Sequence, residues 1–421
     1  MGAATVDTVE GRGTGMATAA VKTAGVVAGV ALAAALAHEC GLAGAGREAA
    51  DRPADARERP AGTSAARRET SAEAAPAVRR LIGDGSTADT GPQPGARRPS
   101  VLAPGQRPPQ FVVFSWDGAG EDGNRLFSHF RRLGARYGAT QTFFLSGLYV
   151  LPKSQRMRYR PPGHARGASD IGLFRPADVH RTLDEVRAAW LAGNEIGTHY
   201  NGHFCGATGV NAWSAAQWRA EIRQAKWFVE HWRTTTGWTG MRPLPFDYEK
   251  ELIGGRTPCL EGRAAARAAG RSLGFRYDSS GNGTQVWPDR TQGLWDVPLQ
   301  RLPMPGRPFE VLSMDYNYMA NQPKGGGFGA GEQMRASLMG GFHRAYDGNR
   351  APLIIGNHFE QWNGGVYMDA VESVMRTVCR KPEVRCVSFR HLVDWLDVQR
   401  PHVLHELRKL PVGHRPARWP R

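Results

Sequence analysis

The feature that most constrains this chain is the run Phe111-Val112-Val113-Phe114, four large apolar residues that give way to Ser115-Trp116-Asp117-Gly118. An unbroken apolar run of this length marks a strand buried on both faces, which occurs where a parallel sheet is covered by helices. The following chain repeats the theme. Arg125 to Tyr137 carries Leu126, Phe127, Phe130 and Leu133 on one helical face, and Thr142 to Leu145 is a second apolar run. Ala177 to Ala192 repeats Val179, Leu183, Val186 and Trp190 at helical spacing. The same criteria predict a strand over Asn194–Thr198, a helix over Ala215–Thr235 and a helix over Arg263–Leu273. They further predict strands at Phe275–Tyr277 and Pro352–Gly356, and a helix over Met368–Cys379. Strands separated by helices pair in parallel through right-handed crossovers. The expected fold is therefore α/β, a (β/α) barrel of eight or fewer units over residues 111–398.

Composition sets the boundaries. Residues 44–110 are dominated by Ala, Arg, Pro, Gly, Ser and Thr, and predict a disordered linker because so little apolar surface offsets the entropy of ordering. Residues 399–421 read as a basic tail. At the other end, residues 1–43 read as an export signal: Lys22 precedes an apolar run from Ala24 to Ala37 that closes on Ala35-Leu36-Ala37. The run is short for a membrane span, which favours cleavage over anchoring. The formal charge of the 421-residue chain is +15. Basic residues concentrate at Arg131, Arg132, Arg156, Arg158, Arg160 and in the tail, without interleaved aromatics, so nucleic acid is not the expected partner. Such a surface suits an anionic neighbour, a cell wall or phospholipid headgroups.

Export permits disulfides. Cys379 and Cys386 flank a turn-like segment and predict a local bridge, with Cys205–Cys259 following by elimination; no CxxC pair supports a cysteine metal site.

Barrel chemistry belongs at the carboxyl ends of strands. Asp117, His199 and His358 fall there. His199-Tyr200-Asn201-Gly202-His203 sets two imidazoles four residues apart, and with Asp117 they form a two-histidine, one-carboxylate set suited to a divalent ion with open positions. Trp287, Trp295, Trp362 and Tyr367 lie near expected strand ends and could stack on sugar rings, and Lys324 to Gly331 reads as a mobile loop.

In order, Phe114-Ser115-Trp116-Asp117-Gly118, Thr198-His199 with His203, Pro245-Phe246, Tyr277-Asp278-Ser279-Ser280 and Ile354-Ile355-Gly356-Asn357-His358 resemble the motifs of the polysaccharide deacetylases, the NodB-homology or carbohydrate esterase family 4 group. The resemblance implies a distorted (β/α) barrel. It implies Asp117, His199 and His203 as ligands of one divalent metal ion, zinc being the expected one, and an acetylated polysaccharide or peptidoglycan as substrate. His358 would be the general acid, Asp278 its orienting carboxylate, and the backbone near Phe246 would help hold the oxyanion. Trp362 would face the substrate. Two departures stand out. Trp116 occupies the place of the family's usual basic Asp, leaving Glu121 and Asp122 as substitutes. The arginine of Arg242-Pro243-Leu244-Pro245-Phe246 stands one position off the pattern. Three functions remain open: a glycan deacetylase, a non-catalytic carbohydrate- or wall-binding protein, and a hydrolase of a non-sugar amide.

Overall fold

The computed structural model describes residues 76–95, 98–323 and 325–421. Strands β1 (Arg80–Ile82) and β2 (Thr87–Asp89) form an antiparallel hairpin. The first half of the barrel then runs β3 (Gln110–Ala119), α1 (Leu126–Arg136), β4 (Thr142–Leu145), α2 (Pro176–Leu191), β5 (Glu195–Thr198), α3 (Ala215–Glu230), α4 (Trp232–Thr236), α5 (Tyr248–Glu251), β6 (Gly254–Gly255), α6 (Arg263–Ser272) and β7 (Tyr277–Asp278). Next come β8 (Asn282–Gly283), β9 (Asp289–Thr291), β10 (Leu294–Asp296), β11 (Leu299–Pro303) and β12 (Glu310–Leu312). The chain finishes with α7 (Asp315–Ala320), α8 (Gly327–Tyr346), β13 (Leu353–His358), α9 (Val366–Val378), β14 (Val384–Cys386), α10 (Phe389–Val398) and α11 (Pro401–Arg408).

The main sheet has the order β13-β3-β4-β5-β6-β7-β10-β9, with β14 beside the start of β3. Every pairing in it is parallel except β9 with β10. A smaller sheet, β12-β11-β8, bridges from β7 back to β13. Ser313 Oγ donates to the Ile354 carbonyl at 2.6 Å, and the Gly356 N–H donates to the Ser313 carbonyl at 2.8 Å. The barrel is thus distorted, with part of its wall supplied by this second sheet.

Strand alternation divides the apolar residues into two layers. Phe111, Val113, Phe144, Tyr277, Ile354 and Phe389 belong to one buried cluster, the barrel interior. Val112, Phe114, Trp116, Phe143 and Ile355 belong to the other, beneath the helices. Trp116 is fully buried there, stacked on Phe359 at 4.6 Å, and its indole N–H donates to Gln141 Oε1 at 2.8 Å. Its neighbour Asp117 accordingly turns toward the interior.

Three expectations about boundaries are corrected. Of the expected linker, residues 76–95 and 98–110 are built into the fold. Thr87 and Ala88 are buried, the Ala88 N–H donates to the Leu244 carbonyl, and Trp232 Nε1 donates to the Ser86 carbonyl at 2.7 Å. Its remainder, residues 44–75, lies outside the described residues, as does the expected export signal. The expected tail begins with α11, which buries Val403, Leu404 and Leu407. Within Lys324 to Gly331, Lys324 lies outside the described residues, but Gly327 onward is the first turn of α8. A Cβ at Gly331 would meet the Val366 carbonyl at 2.7 Å, so glycine here permits close packing of α8 on the start of α9. Among the described residues, no helix is long and apolar enough to cross a membrane.

Because Trp116 fills the sheet–helix layer, Trp116→Ala is expected to lower unfolding free energy by about 3–5 kcal/mol in chemical denaturation. A loss below about 1 kcal/mol would show that the indole is not packed as described.

Candidate functional site

Alternation and register bring Asp117, His199 and His358 to one rim. On β3, Asp117 lies in register with His358 on β13. His199 directly follows β5, and Arg256 directly follows β6. β6 is too short and too glycine-rich to read as a strand, yet both glycines are required: a Cβ at Gly254 would lie 2.3 Å from the Tyr277 ring, and one at Gly255 would lie 2.5 Å from the Thr198 carbonyl. Close approach of backbones, rather than side-chain pattern, makes this strand.

Arg256 is fully buried and crosses the rim. Nη1 donates to Asp117 Oδ1 at 2.7 Å, Nη2 to Ser279 Oγ at 2.8 Å and Nε to the Ser279 carbonyl at 3.1 Å. Its guanidinium lies 5.0 Å from the centre of the Phe144 ring. Gly356 on β13 leaves room for it, since a Cβ there would sit 3.2 Å from Nη1. Burial raises the Asp117 carboxyl, but Arg256, with His199 and His358, outweighs it and holds the group below the usual carboxylate range. The arginine that the structure brings to this rim is therefore Arg256, followed by Thr257-Pro258, whereas Arg242 is exposed.

His199 Nδ1 lies 2.8 Å from the Arg256 carbonyl, which fixes the proton on Nδ1 and leaves the Nε2 lone pair available. Burial pushes this imidazole down to about 3, against the pull of Asp117, so it is neutral at physiological pH. His203 is half-buried and its ring centre lies 5.1 Å from that of His199. Burial and the neighbouring His358 push it down too. Two imidazoles bound to one tetrahedral ion at about 2.0–2.1 Å place their ring centres about 5 Å apart, so this pair fits a divalent ion. Asp117, whose Oδ1 accepts from Arg256, offers the carboxylate donor of matching kind. The trio is not drawn tight. Among the described residues, the three donor atoms that lie within 4.8 Å of one another are those of His203, Cys205 and Cys259, and the two sulfurs are joined in a disulfide.

His358 Nδ1 lies 2.7 Å from Asp315 Oδ1, and its backbone N–H donates to Asp315 Oδ2 at 2.6 Å. Burial disfavours the charged ring, but the Asp315 carboxylate outweighs it and pushes His358 up to about 9, with Asp117 and Glu360 adding to the effect. The expected orienting role of Asp278 is corrected: Asp278 accepts from Arg267 Nε at 2.7 Å and from Ser280 Oγ. Asp315, the first residue of α7, escaped notice because a lone acid in a short helix carries no pattern. Trp362 is half-buried, its ring centre 5.4 Å from His358 and 6.0 Å from the exposed Tyr316. Trp287, Trp295 and Tyr367 are core residues.

Two further expectations change. Glu121 does not face the rim; its Oε2 accepts the Ser128 N–H at 2.6 Å, closing the first turn of α1. Phe246 packs on Trp190 and Tyr248 and lines a cleft with Glu251, Arg390 and Asp394. That cleft lies at the amino ends of β5 and β6, away from Asp117. Asp122 accepts the Asn124 N–H at 2.8 Å and stays at the rim, where its charge acts on Glu360 and Tyr149. Burial raises the Glu360 carboxyl, which His358 opposes, and this residue was not anticipated.

Both expected disulfides are present, Cys205–Cys259 and Cys379–Cys386. The first ties the histidine loop to the segment after Arg256. That loop pair holds four non-glycine residues at positive φ: Tyr200 at 61°, His203 at 57°, Cys259 at 53° and Leu260 at 59°. Each such conformation costs about 1–2 kcal/mol, so the covalent tie holds a strained segment in place.

No protein-family model and no curated protein matches the chain. Solved structures similar to it include a Mycobacterium smegmatis protein assigned to the polysaccharide deacetylases (15% identity, covering 76% of this chain and 99% of that one, TM-score 0.42). Another is the Xyl-CE4 domain of a multidomain xylanase from the hindgut metagenome of Trinervitermes trinervoides (13% identity, 69% and 92%, TM-score 0.38). A third is the family 4 pseudoenzyme BA3943 of Bacillus anthracis (11% identity, 75% and 73%, TM-score 0.37).

Cys205→Ser combined with Cys259→Ser is expected to cost about 2–4 kcal/mol of stability, the range for a bridge closing a loop of 54 residues. Denaturation midpoints unchanged by the double substitution would contradict the staple.

Proposed function

We propose that the chain is a divergent polysaccharide deacetylase, an exported metal-dependent hydrolase that removes N- or O-linked acetyl groups from a glycan. The observation that carries this reading is the Asp315–His358 pair, set on the same rim as Asp117, His199 and His203. A carboxylate-oriented imidazole beside a two-histidine, one-carboxylate donor set matches what acyl hydrolysis requires: an acid at the leaving group and a cation at the carbonyl. Asp117, His199 and His203 would hold the ion, zinc suiting nitrogen and oxygen donors; bound there, it supplies Lewis acidity toward a carbonyl oxygen and lowers the pKa of water. His358, kept protonated by Asp315, hands its Nε2 proton to the departing amine or alkoxide. Trp362 and Tyr316 offer ring faces to the sugar. With Trp116 turned outward and Glu121 engaged by α1, Asp122 and Glu360 are the carboxylates at the rim that could take a proton from water. Export rests on the apolar run from Ala24 to Ala37, and cell-wall association on the basic surface.

One observation favours a second reading, a glycan-binding protein without turnover. Arg256 bonds to Asp117 itself, which adds a positive charge where a metal would bind.

Acetate release from acetylated glycans separates the two. His358→Ala should lower the rate by about 10²-fold or more. In the wild type the basic limb of the pH profile should fall near His358's value of about 9. Asp315→Asn removes the dominant raising charge and should move that limb toward the ordinary histidine value. The same linkage has a stability sign: the raised pKa means the Asp315 pairing stabilises the fold fully below about 6.5 and loses that effect as pH rises through about 9. A basic limb unmoved by Asp315→Asn would sink the general-acid assignment, and the absence of release from any acetylated glycan would favour the binding protein.

A further inference from the structure

The loop from β4 to α2 lies at the carboxyl end of β4, the same end of the barrel as the site, and its charge is one-sided. Between Pro152 and Ser169 it carries Lys153, Arg156, Arg158, Arg160 and Arg166 and contains no Asp or Glu. All five cations are exposed. Among the described residues none of the five has an ion-pair partner; Arg158 donates to Gln155 and lies over the Trp227 ring at 5.8 Å, and Arg166 donates to the Met157 carbonyl. Elsewhere on the molecule many exposed cations have carboxylate partners, as Arg290 has Asp397 and Lys409 has Glu406. Five like charges on one loop repel one another, and the loop is pinned against that repulsion.

The pins attach it to the histidine loop. The His164 ring stacks on Phe204 at 3.8 Å, the Gly202 N–H donates to the Tyr159 hydroxyl at 3.1 Å and the Asp170 N–H donates to the Gly202 carbonyl at 2.8 Å. Tyr159 in turn donates to the buried Glu221 at 2.8 Å, and Gln224 clamps the backbone of Arg160. A Cβ at Gly202 would meet Phe204 at 2.5 Å and the Tyr159 hydroxyl at 2.7 Å, so glycine between the two histidines is what lets the basic loop dock. The acids on or against this loop include Asp170, at its end, Glu221, whose carboxylate faces inward, and Asp122 and Glu360, whose charges act on Tyr149 at its start.

We infer that this loop is a subsite for a polyanionic glycan, one bearing carboxylate or phosphodiester groups along its chain, which it draws across the histidine rim. The inference rests on the glycan-hydrolase reading above and narrows its substrate class. A fixed array of cations beside a site raises the local concentration of an anionic polymer and orients it, while contributing little selectivity for a neutral one. The Arg side chains also suit planar carboxylate or phosphate groups.

The test uses polygalacturonate and its fully methyl-esterified form, which share a backbone and differ in charge. Binding of the folded chain is measured without turnover, so it is independent of acetate release. Wild type should bind polygalacturonate, weaken steeply as salt rises and ignore the methyl ester. Lys153→Gln with Arg156→Gln and Arg160→Gln, three side chains without hydrogen bonds among the described residues, should bind about tenfold or more weakly at low salt with an unchanged melting temperature. Equal binding of the two polymers, or an affinity unaffected by the triple substitution, overturns the inference. So does binding to phosphatidylglycerol vesicles without binding to polygalacturonate, which would assign the loop to a membrane surface. Deacetylation of neutral glycans alongside any of these results would leave the proposed function standing.

Discussion

A buried guanidinium meeting a buried carboxylate, Arg256 on Asp117 at 2.7 Å, is the interaction on which the rim depends. Both groups are out of water, and either alone would be an uncompensated buried charge, a loss of about 3–5 kcal/mol. The pair survives because its remaining bonds are satisfied by Ser279, because aromatic rings lie against the guanidinium, and because Gly356 leaves it space. Arg256 also presents its carbonyl to His199, so one residue fixes both the charge of Asp117 and the tautomer of His199. Removing it would disturb the fold and the chemistry together.

Strand alternation does the rest of the positioning. On β3 the apolar residues divide between interior and outer layers, and Asp117 inherits the interior by parity, as His358 does on β13 beside Ile354 and Gly356. The same parity sends Trp116 outward onto Phe130 and Phe359. The residue before the candidate ligand is therefore a packing residue in this chain, and a carboxylate substituted there would be buried beneath α1 rather than aimed at the rim.

How much was legible follows from this physics. The strands β3, β4, β5 and β13 and the helices α1, α2, α6 and α9 are long or apolar enough for local pattern to decide, and both disulfides follow from cysteine spacing and number. β6 was illegible because two glycines make it a strand through the closeness of Tyr277 and Thr198. With β6 unseen, Arg256 had no strand end to stand on, and the arginine motif was placed at Arg242. Asp315 was illegible because its meaning comes from a partner 43 residues away in sequence. The hairpin at β1–β2 has a composition poor in large apolar residues, yet it is ordered by hydrogen bonds to Leu244 and Trp232 that no local pattern announces.

The central claim is that Asp117, His199 and His203 form a single divalent-ion site despite the Arg256 contact. The most direct measurement is elemental analysis of the purified chain after dialysis against trace zinc, with His199→Ala beside it. The account predicts about one ion per wild-type chain and loss of most of it in the variant, with both proteins folded. A metal-free wild type, or equal metal in the two, would contradict it and leave the rim an arginine-sealed binding surface.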